Sequence, residues 1–585
     1  MDGFCFEASK NPALDFDVRA VIRHDSILAQ LPARTNMSAL VATFSYTGTG
    51  VSVNHLTQTS GVHANNFSYP VQYVVKAEDH STRTYTVKLQ TASELKEFMI
   101  KKSLNPGLTE DIFFSINHHT GTVEGTHLKW IDSPSASRLV ASFEAGDSEI
   151  RADGVVLSSG VTVIDFRKPV KISASGKAYT ASILCPQINA GLPVLRINAD
   201  GPITSKETYV TAKLEILGNG ITEGLWDFNR EKIEIRLRGN STVGLPKKPY
   251  RIKFPEKCSP LGLKHAREKS WVLLANDCDK SLIRNAVAFQ MSRLLAAGAV
   301  RFTPCTQFVD VYLNGAYDGN YHLTDQVEVA PGRVDVKSLK AGDAGNASKI
   351  SGGYLLELDG FAHSEPLHFA SPRQMPVTVQ YPKNADYAPE QATYIANYFA
   401  ATENALFSVN FKDPATGWRK YINQASWVDY YIISELTGNS DAWWSTYMSK
   451  ERNVDYFVAG PVWDFDIAFN NDNRIGNATA RLMAEAAHDP KTWINRFMQD
   501  ETFKAAVKVR WNAKKGELLG LETYMDELAV LLDMSQKANF KRWNITQQVL
   551  GHANPAPTSY EAAISQLKSY FQARYHFLDT EFNKW

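Results

Sequence analysis

The sequence predicts a multi-domain chain in which two small all-β modules precede one large α+β body. Three observations carry that reading. The 585 residues, 44% of them hydrophobic, are enough for three or four domains at roughly 150 residues each, with sizeable cores. The first third repeats itself: Asn11-Pro12-Ala13-Leu14 returns as Asn105-Pro106-Gly107-Leu108, Leu40-Val41-Ala42-Thr43-Phe44 as Leu139-Val140-Ala141-Ser142-Phe143, and Tyr85-Thr86-Val87-Lys88-Leu89 as Tyr179-Thr180-Ala181-Ser182-Ile183. From about Leu192 onward, helical spacing mixes with strand alternation and no low-complexity linker intervenes.

The repeat spacings of 94, 99 and 94 residues, with short alternating segments and turn residues such as 45–50 and Ala145-Gly146-Asp147, predict sandwiches of immunoglobulin-like type. Segments 73–77 and 85–89 alternate as a half-buried antiparallel hairpin does. Residues 1–93 and 94–186 are read as the two modules and 187–585 as the body. Such strings are expected either to space and display the domain behind them or to bind a ligand, and they look like the N-terminal modules of bacterial surface proteins.

In the body, strands are expected at 211–217, 232–237 and 250–254, then a helix over 281–295. Asn314-Gly315 between 308–313 and 317–328 marks a hairpin, and 352–359 is a further strand. Segments 389–407, 424–437, 502–519 and 562–582 have helical spacing, which completes a two-lobed α+β unit.

Charge and cysteine usage remove several function classes. The 62 basic and 62 acidic side chains leave no net charge, which argues against a nucleic-acid partner held by a basic footprint. No apolar run approaches the roughly 18 residues of a transmembrane helix, the longest being of the 294–300 kind. The opening Met1-Asp2-Gly3-Phe4-Cys5 has neither a basic nor an apolar leader region, as expected of an intracellular chain or of an exported one whose leader is already removed. Five cysteines without CxxC spacing indicate neither a zinc knuckle nor a disulfide framework, and Cys258 and Cys278 read as buried thiols.

Four polar clusters could carry chemistry. Arg238-Gly239-Asn240-Ser241-Thr242 follows a strand and precedes the cationic Lys247-Lys248-Pro249-Tyr250-Arg251-Ile252-Lys253-Phe254. A glycine turn can offer N–H groups to an anion and the lysines can neutralise phosphate; the plain alternative is an ordinary turn beside an exposed basic strand. Asn276-Asp277-Cys278-Asp279-Lys280, with Arg284-Asn285 beyond it, is denser in polar groups than solubility requires. Asp441 precedes Asp464 by 23 residues, and Asp464 and Asp466 are expected on one side of a strand, where they suit a hard cation. They equally suit a calcium-stabilised loop or a pair of capping aspartates.

In their order these clusters resemble the spore coat protein H (CotH) kinase-like family, through Arg238-Gly239-Asn240-Ser241, the Lys247–Lys253 strand, Leu273-Leu274-Ala275-Asn276 with Asp279-Lys280 and Arg284-Asn285, Gly319-Asn320-Tyr321, Gly353-Tyr354-Leu355-Leu356-Glu357, Asn439 with Asp441, and Trp463-Asp464-Phe465-Asp466. The resemblance spans about two thirds of the chain, roughly residues 190–585. It implies an atypical protein-kinase-like fold that binds ATP with Mg²⁺ or Mn²⁺ and phosphorylates secreted proteins on Ser or Thr. It makes Asp441 the acceptor base and Asp464 the metal ligand with Asp466 beside it. Lys248 or Lys253 would contact phosphate, Glu328 or Glu357 would pair with that lysine, and Arg238, Asn240 and Arg284 would complete the nucleotide set. The chain departs from a kinase pattern in lacking a GxGxxG loop and in placing Thr446, next to Ser445, where a second metal-binding asparagine is usual, with Asn470 or Asn471 as substitutes.

The expected function is therefore that of a bacterial cell-surface or extracellular kinase-like enzyme with a protein substrate or surface partner. The alternative is an inactive surface, adhesion or coat-assembly protein on the same fold. A carbohydrate-active reading rests on 12 Trp and 24 Tyr and on Trp443-Trp444. Against it, Asp464 and Asp466 are too close for the opposed carboxylates of a glycosidase, and aromatic residues are usually core.

Overall fold

The computed structural model describes residues 1–33, 35–91, 95–145, 149–174, 177–218, 228–263, 266–295, 302–442, 444–476, 478–486 and 491–585. Gly146, Asp147, Trp443 and the end of the 294–300 run, which the sequence singles out, lie outside the described residues. The chain divides into two compact units, Met1–His127 with Ile131–Asn189, and Leu128–Trp130 with Ala190–Trp585.

The first unit consists largely of β-sheet. In its first copy a six-stranded sheet runs in the order Val21–Arg23, Ser26–Leu31, Thr82–Thr91, Val71–Lys76, Gly50–Val53, Leu56–Thr57. A three-stranded sheet accompanies it, and Phe6, Ile27, Tyr73 and Val87 share one core. The expected hairpin is present as the antiparallel pair Val71–Lys76 and Thr82–Thr91. The repeat is a repeat of bonding, not only of letters. Asn11 Nδ2 donates to Glu7 O and Val41 O, both at 2.9 Å, while its Oδ1 accepts from Val41 N at 2.8 Å. Asn105 does the same with Lys101 O, Val140 O and Val140 N at 2.8, 2.9 and 2.7 Å. Buried backbone groups without a strand partner need such a side chain, so the asparagine is fixed in both copies. Both copies also contain a parallel pair, Ser26–Leu31 with Thr82–Thr91 and Thr122–Thr126 with Lys177–Leu184.

The second unit begins with seven strands: β1 (Val194–Ala199), β2 (Val210–Leu217), β3 (Phe228–Leu237), β4 (Tyr250–Cys258), β5 (Glu268–Leu274), β6 (Gln307–Leu313) and β7 (Ala316–Asp325). They close into a barrel in the order β1-β2-β3-β4-β5-β7-β6, sealed by the parallel pairing of β6 with β1. Alternation decides what fills it. Ile233, Ile235 and Leu237 on β3 and Tyr250, Ile252 and Phe254 on β4 join Trp271, Val309 and Leu323 in the interior, so the residues between them must point outward.

Five antiparallel strands follow: β8 (Tyr354–Leu358), β9 (His368–Ala370), β10 (Pro376–Tyr381), β11 (Thr446–Lys450) and β12 (Phe457–Ala459), in the order β9-β10-β8-β11-β12. The main helices are α1 (Arg284–Leu295), α2 (Pro389–Phe407), α3 (Gln424–Thr437), α4 (Glu501–Leu519), α5 (Leu521–Leu531), α6 (Asp533–Arg542) and α7 (Tyr560–Asn583). The helix expected from residue 281 starts three residues later. Asp279 explains the delay: its carboxylate accepts from Ser281 N, Ser281 Oγ and Arg284 N at 2.9, 2.6 and 2.8 Å, which fixes a turn before the first helical residue. Helix α3 is buried along nearly its whole length and ends at Gly438, whose φ of 58° is left-handed. A Cβ there would collide with the Tyr570 hydroxyl, so only glycine turns the chain toward Asp441.

Candidate functional site

A cleft of about 300 Å³ lies between the outer face of the barrel and the turns that follow α3 and β12. Its barrel wall is cationic for a reason visible in the alternation. Because Ile235, Leu237 and Ile252 fill the interior, Arg236 and Arg251 face outward, and the register sets them directly opposite each other. Like charges at opposed positions of an antiparallel pair repel. Burial pushes the Arg251 guanidinium down, and Arg236 and Arg238 add to that. The Nε–H groups of Arg236 and Arg251 are buried and have no hydrogen-bond partner. Arg238 stacks over the Trp463 ring with Cζ 5.4 Å from its centre, and Asn240 Oδ1 accepts from Lys206 Nζ at 3.0 Å. Gly239 between them has φ 91°, and a Cβ there would strike Thr242 Oγ1.

The opposite wall is acidic. Glu357 and Asp359 come from β8 and the residues just after it, Asp441 from the turn after α3, and Asp464 from the segment after β12. Glu357 accepts from Gln380 Nε2 at 2.8 Å, and burial followed by the Asp359 charge pushes its carboxyl up to about 8. The expectation that Asp464 and Asp466 share a strand face is corrected: residues 461–466 form no strand, and Asp464 has a left-handed φ of 66°. Ser445, which also lines the cleft, has φ 51°, and its side chain bonds to Asp464. Non-glycine residues held in this region are strained, and two in contact mark a constrained site. Asp464 keeps a face open to the cleft while protein atoms crowd its other sides; that crowding, and then the Asp466 charge, raise its carboxyl. Asp466 lies deeper and accepts from the Cys278 thiol at 3.1 Å. Asp441 is held by Asn439 Oδ1, which accepts its N–H at 3.0 Å, and by Arg474 Nη2 at 2.9 Å.

Arg238, Asn240, Glu357, Asp441 and Asp464 are thus brought together, with Asp466 in the adjoining recess that Asp464 and Arg238 also line. The other expected residues are placed elsewhere. Lys248 Nζ donates to Val243 O and Leu245 O at 2.9 and 2.6 Å, which ties down the β3–β4 connection and leaves it outside the cleft lining. Lys253 pairs with Glu234 at 2.7 Å farther along β4. Glu328 pairs with Arg333 at 2.5 Å and Glu357 with Gln380, so neither joins either lysine. Arg284 is buried against Asp279 and donates from Nε to Ala468 O at 3.0 Å. Thr446 is buried, its hydroxyl donating to Ala442 O at 2.8 Å; Ser445 supplies the hydroxyl in the cleft. Asn470 and Asn471 line a different cavity.

Sequence reasoning missed Arg236, Arg251 and Arg474. Arg236 and Arg251 were findable by alternation alone, since each sits between two barrel-filling residues. Arg474 carries no such local signal.

The donor set fits a nucleotide phosphate group, because Arg236, Arg238 and Arg251 all line the cleft and two of them keep an N–H group without a partner. For a divalent cation, no three His, Cys, Asp or Glu side chains converge among the described residues. Asp464 and Asp466 still fit the manner of Mg²⁺, which takes one or two carboxylates and completes its shell with water and phosphate oxygens.

A family model described as CotH kinase protein matches residues 235–578, and one described as SGBP, N-terminal, matches residues 13–89. No curated protein matches the chain. Among matching solved structures is a crystal structure from Bacteroides thetaiotaomicron described as a candidate glycoside hydrolase, 27% identical, with a TM-score of 0.11. The match covers 17% of this chain and 28% of that one, so the likeness is confined to a short stretch. No helix among the described residues is long and apolar enough to cross a membrane.

Proposed function

Since the chain belongs to the CotH kinase protein family, we propose that it is an atypical kinase, transferring the γ-phosphoryl group of ATP to Ser or Thr of a protein partner at the bacterial surface. The observation that carries this reading is the pairing, across one cleft, of arginines with partnerless buried N–H groups and a set of acidic side chains. Arg236, Arg238 and Arg251 would bind phosphate oxygens, and the strain at Ser445 and Asp464 would hold the acidic wall in place. Asp464 and Asp466 would hold the divalent metal, which supplies charge neutralisation on the phosphates. Asp441, oriented by Asn439 and Arg474, would accept the acceptor hydroxyl's proton on its carboxylate. The SGBP-like module supports a surface location.

Thermal unfolding tests the reading. ATP with Mg²⁺ or Mn²⁺ is expected to raise the midpoint, and Asp464→Ala to abolish the rise with little change without nucleotide. Asp441→Asn is expected to keep the rise and lose transfer of labelled phosphate. No shift at millimolar nucleotide would sink the proposal, and a shift without transfer in the unaltered protein would identify a binding module instead.

A further inference from the structure

A second cavity, of about 550 Å³, shares no lining residue with the cleft. Its size suits a ligand group of small-molecule dimensions. No Asp or Glu lines it, yet Lys280 and Arg284 do, and these are 6% and 4% exposed. Their carboxylate partners, Asp277 and Asp279, stand outside the lining. Arg284 spends Nε on Ala468 O and Nη1 on Asp279 and Ser281, while Nη2 makes no hydrogen bond to any described residue. Lys280 Nζ donates to Asp277 O at 2.8 Å and keeps further hydrogens. Tyr570 also lines the cavity, while its hydroxyl is buried against Gly438. The donors that Arg284 and Lys280 have left over line a cavity without a carboxylate, an arrangement that an accepting ligand group would complete.

The cavity is joined to the turn that carries Asp441. Phe469 and Asn470, in its wall, both have left-handed φ, 54° and 58°, a conformation a bulky residue such as Phe adopts only under constraint. Phe469 N donates to Thr437 O at 2.6 Å, at the end of α3 four residues before Asp441. Asn554 Nδ2 donates to Asn470 O at 2.6 Å, closing the far side with a loop stiffened by Pro555 and Pro557.

We propose that this cavity is the docking subsite for a carboxylate side chain of the acceptor protein, so that the enzyme selects Ser or Thr near acidic residues. The proposal rests on the kinase reading for the identity of the partner. The guanidinium Nη2 of Arg284 and the ammonium of Lys280 match a carboxylate, and the amides and prolines around them fit the peptide that bears it.

The test measures binding by fluorescence anisotropy of two labelled peptides, a serine flanked on both sides by glutamates and the same peptide with glutamines. The glutamate peptide is expected to bind at least about 10-fold more tightly, roughly the weight of one charge-assisted hydrogen bond. Ser569→Trp, an exposed position on the α7 wall, is expected to plug the cavity and erase that preference, whereas Ser569→Ala keeps it. Equal binding of the two peptides overturns the proposal, as does a preference that survives Ser569→Trp. So does a Ser569→Trp-sensitive site that takes a phosphoserine peptide or trigalacturonate and not the glutamate peptide. The nucleotide-dependent thermal shift is read in parallel on every variant. Its loss with peptide preference intact defeats the kinase reading alone, and the converse defeats this subsite alone.

Discussion

Burial, and then the charges of Asp359 and Asp464, favour the protonated form of Glu357. With the folded value raised from 4.5 to about 8, the native state keeps a proton that the unfolded chain has already lost. The stabilisation is complete below about pH 4.5 and is lost as pH climbs toward about 8. Glu357→Gln carries no such proton. Its stability in denaturant should therefore fall less than that of the parent between about pH 5 and pH 8, by at least about 1.4 kcal/mol, the worth of one pKa unit. Parallel curves would show that Glu357 is ionised in the fold. Lys247 makes the opposite point about position. It reads as a candidate phosphate ligand in a cationic strand, yet its Nζ is enclosed by Ala275 O, Asn320 O and Asn539 Oδ1. Burial pushes it down to about 7. Motif order could bring Asp441, Asp464 and Arg238 to light because those residues are separated by chemistry-bearing neighbours in sequence. It could not separate Lys247 from Arg251, because what distinguishes them is that Lys247 precedes β4 and is enclosed by distant carbonyls, whereas Arg251 lies on the outer face of β4.

The connection between β3 and β4 positions Arg238 and Asn240 through one glycine. Gly239→Ala would have to move Thr242 or relax φ, at a cost of about 1–2 kcal/mol. The same shift moves Arg238 off Trp463, so the nucleotide-dependent rise in midpoint should shrink by more than the loss of stability explains. A full rise would show that the turn is not part of the site. Between helices, Glu435 of α3 and Arg574 of α7 form an ion pair with both side chains fully buried, at 2.7 Å, and Glu435 also accepts from Met483 N and Ala484 N at 2.7 and 3.0 Å. Arg574→Met leaves that carboxylate unpaired and should cost about 3–5 kcal/mol in denaturant unfolding; the double variant with Glu435→Gln should recover part of it. Helices α2 and α3 are legible to the residue because Pro389 opens one and Gly438 closes the other. The short strands β9 and β12, three residues each, carry too little pattern to be read at all.

At the scale of the molecule, the two units hold separate cores, with Phe6 and Phe98 in clusters of the first and Trp427 and Trp271 in clusters of the second. Calorimetry should therefore resolve more than one transition, and ATP with Mg²⁺ should move only the one that belongs to residues 190–585. A single transition that moves as a whole would mean that the units unfold together. The neutral total charge conceals the segregation of arginines on one wall and carboxylates on the other, which appears only when strands are folded against turns. The closure of the barrel was equally hidden, since no local signal links β1 to β6. That closure also sets a timetable. Val194 finds its parallel partner only when Asp310 has been synthesised, so β1 leaves the ribosome with one edge unmatched. At about 5–20 residues per second that edge stays open for on the order of ten seconds, the interval in which a nascent chain is most exposed to mispairing with its neighbours.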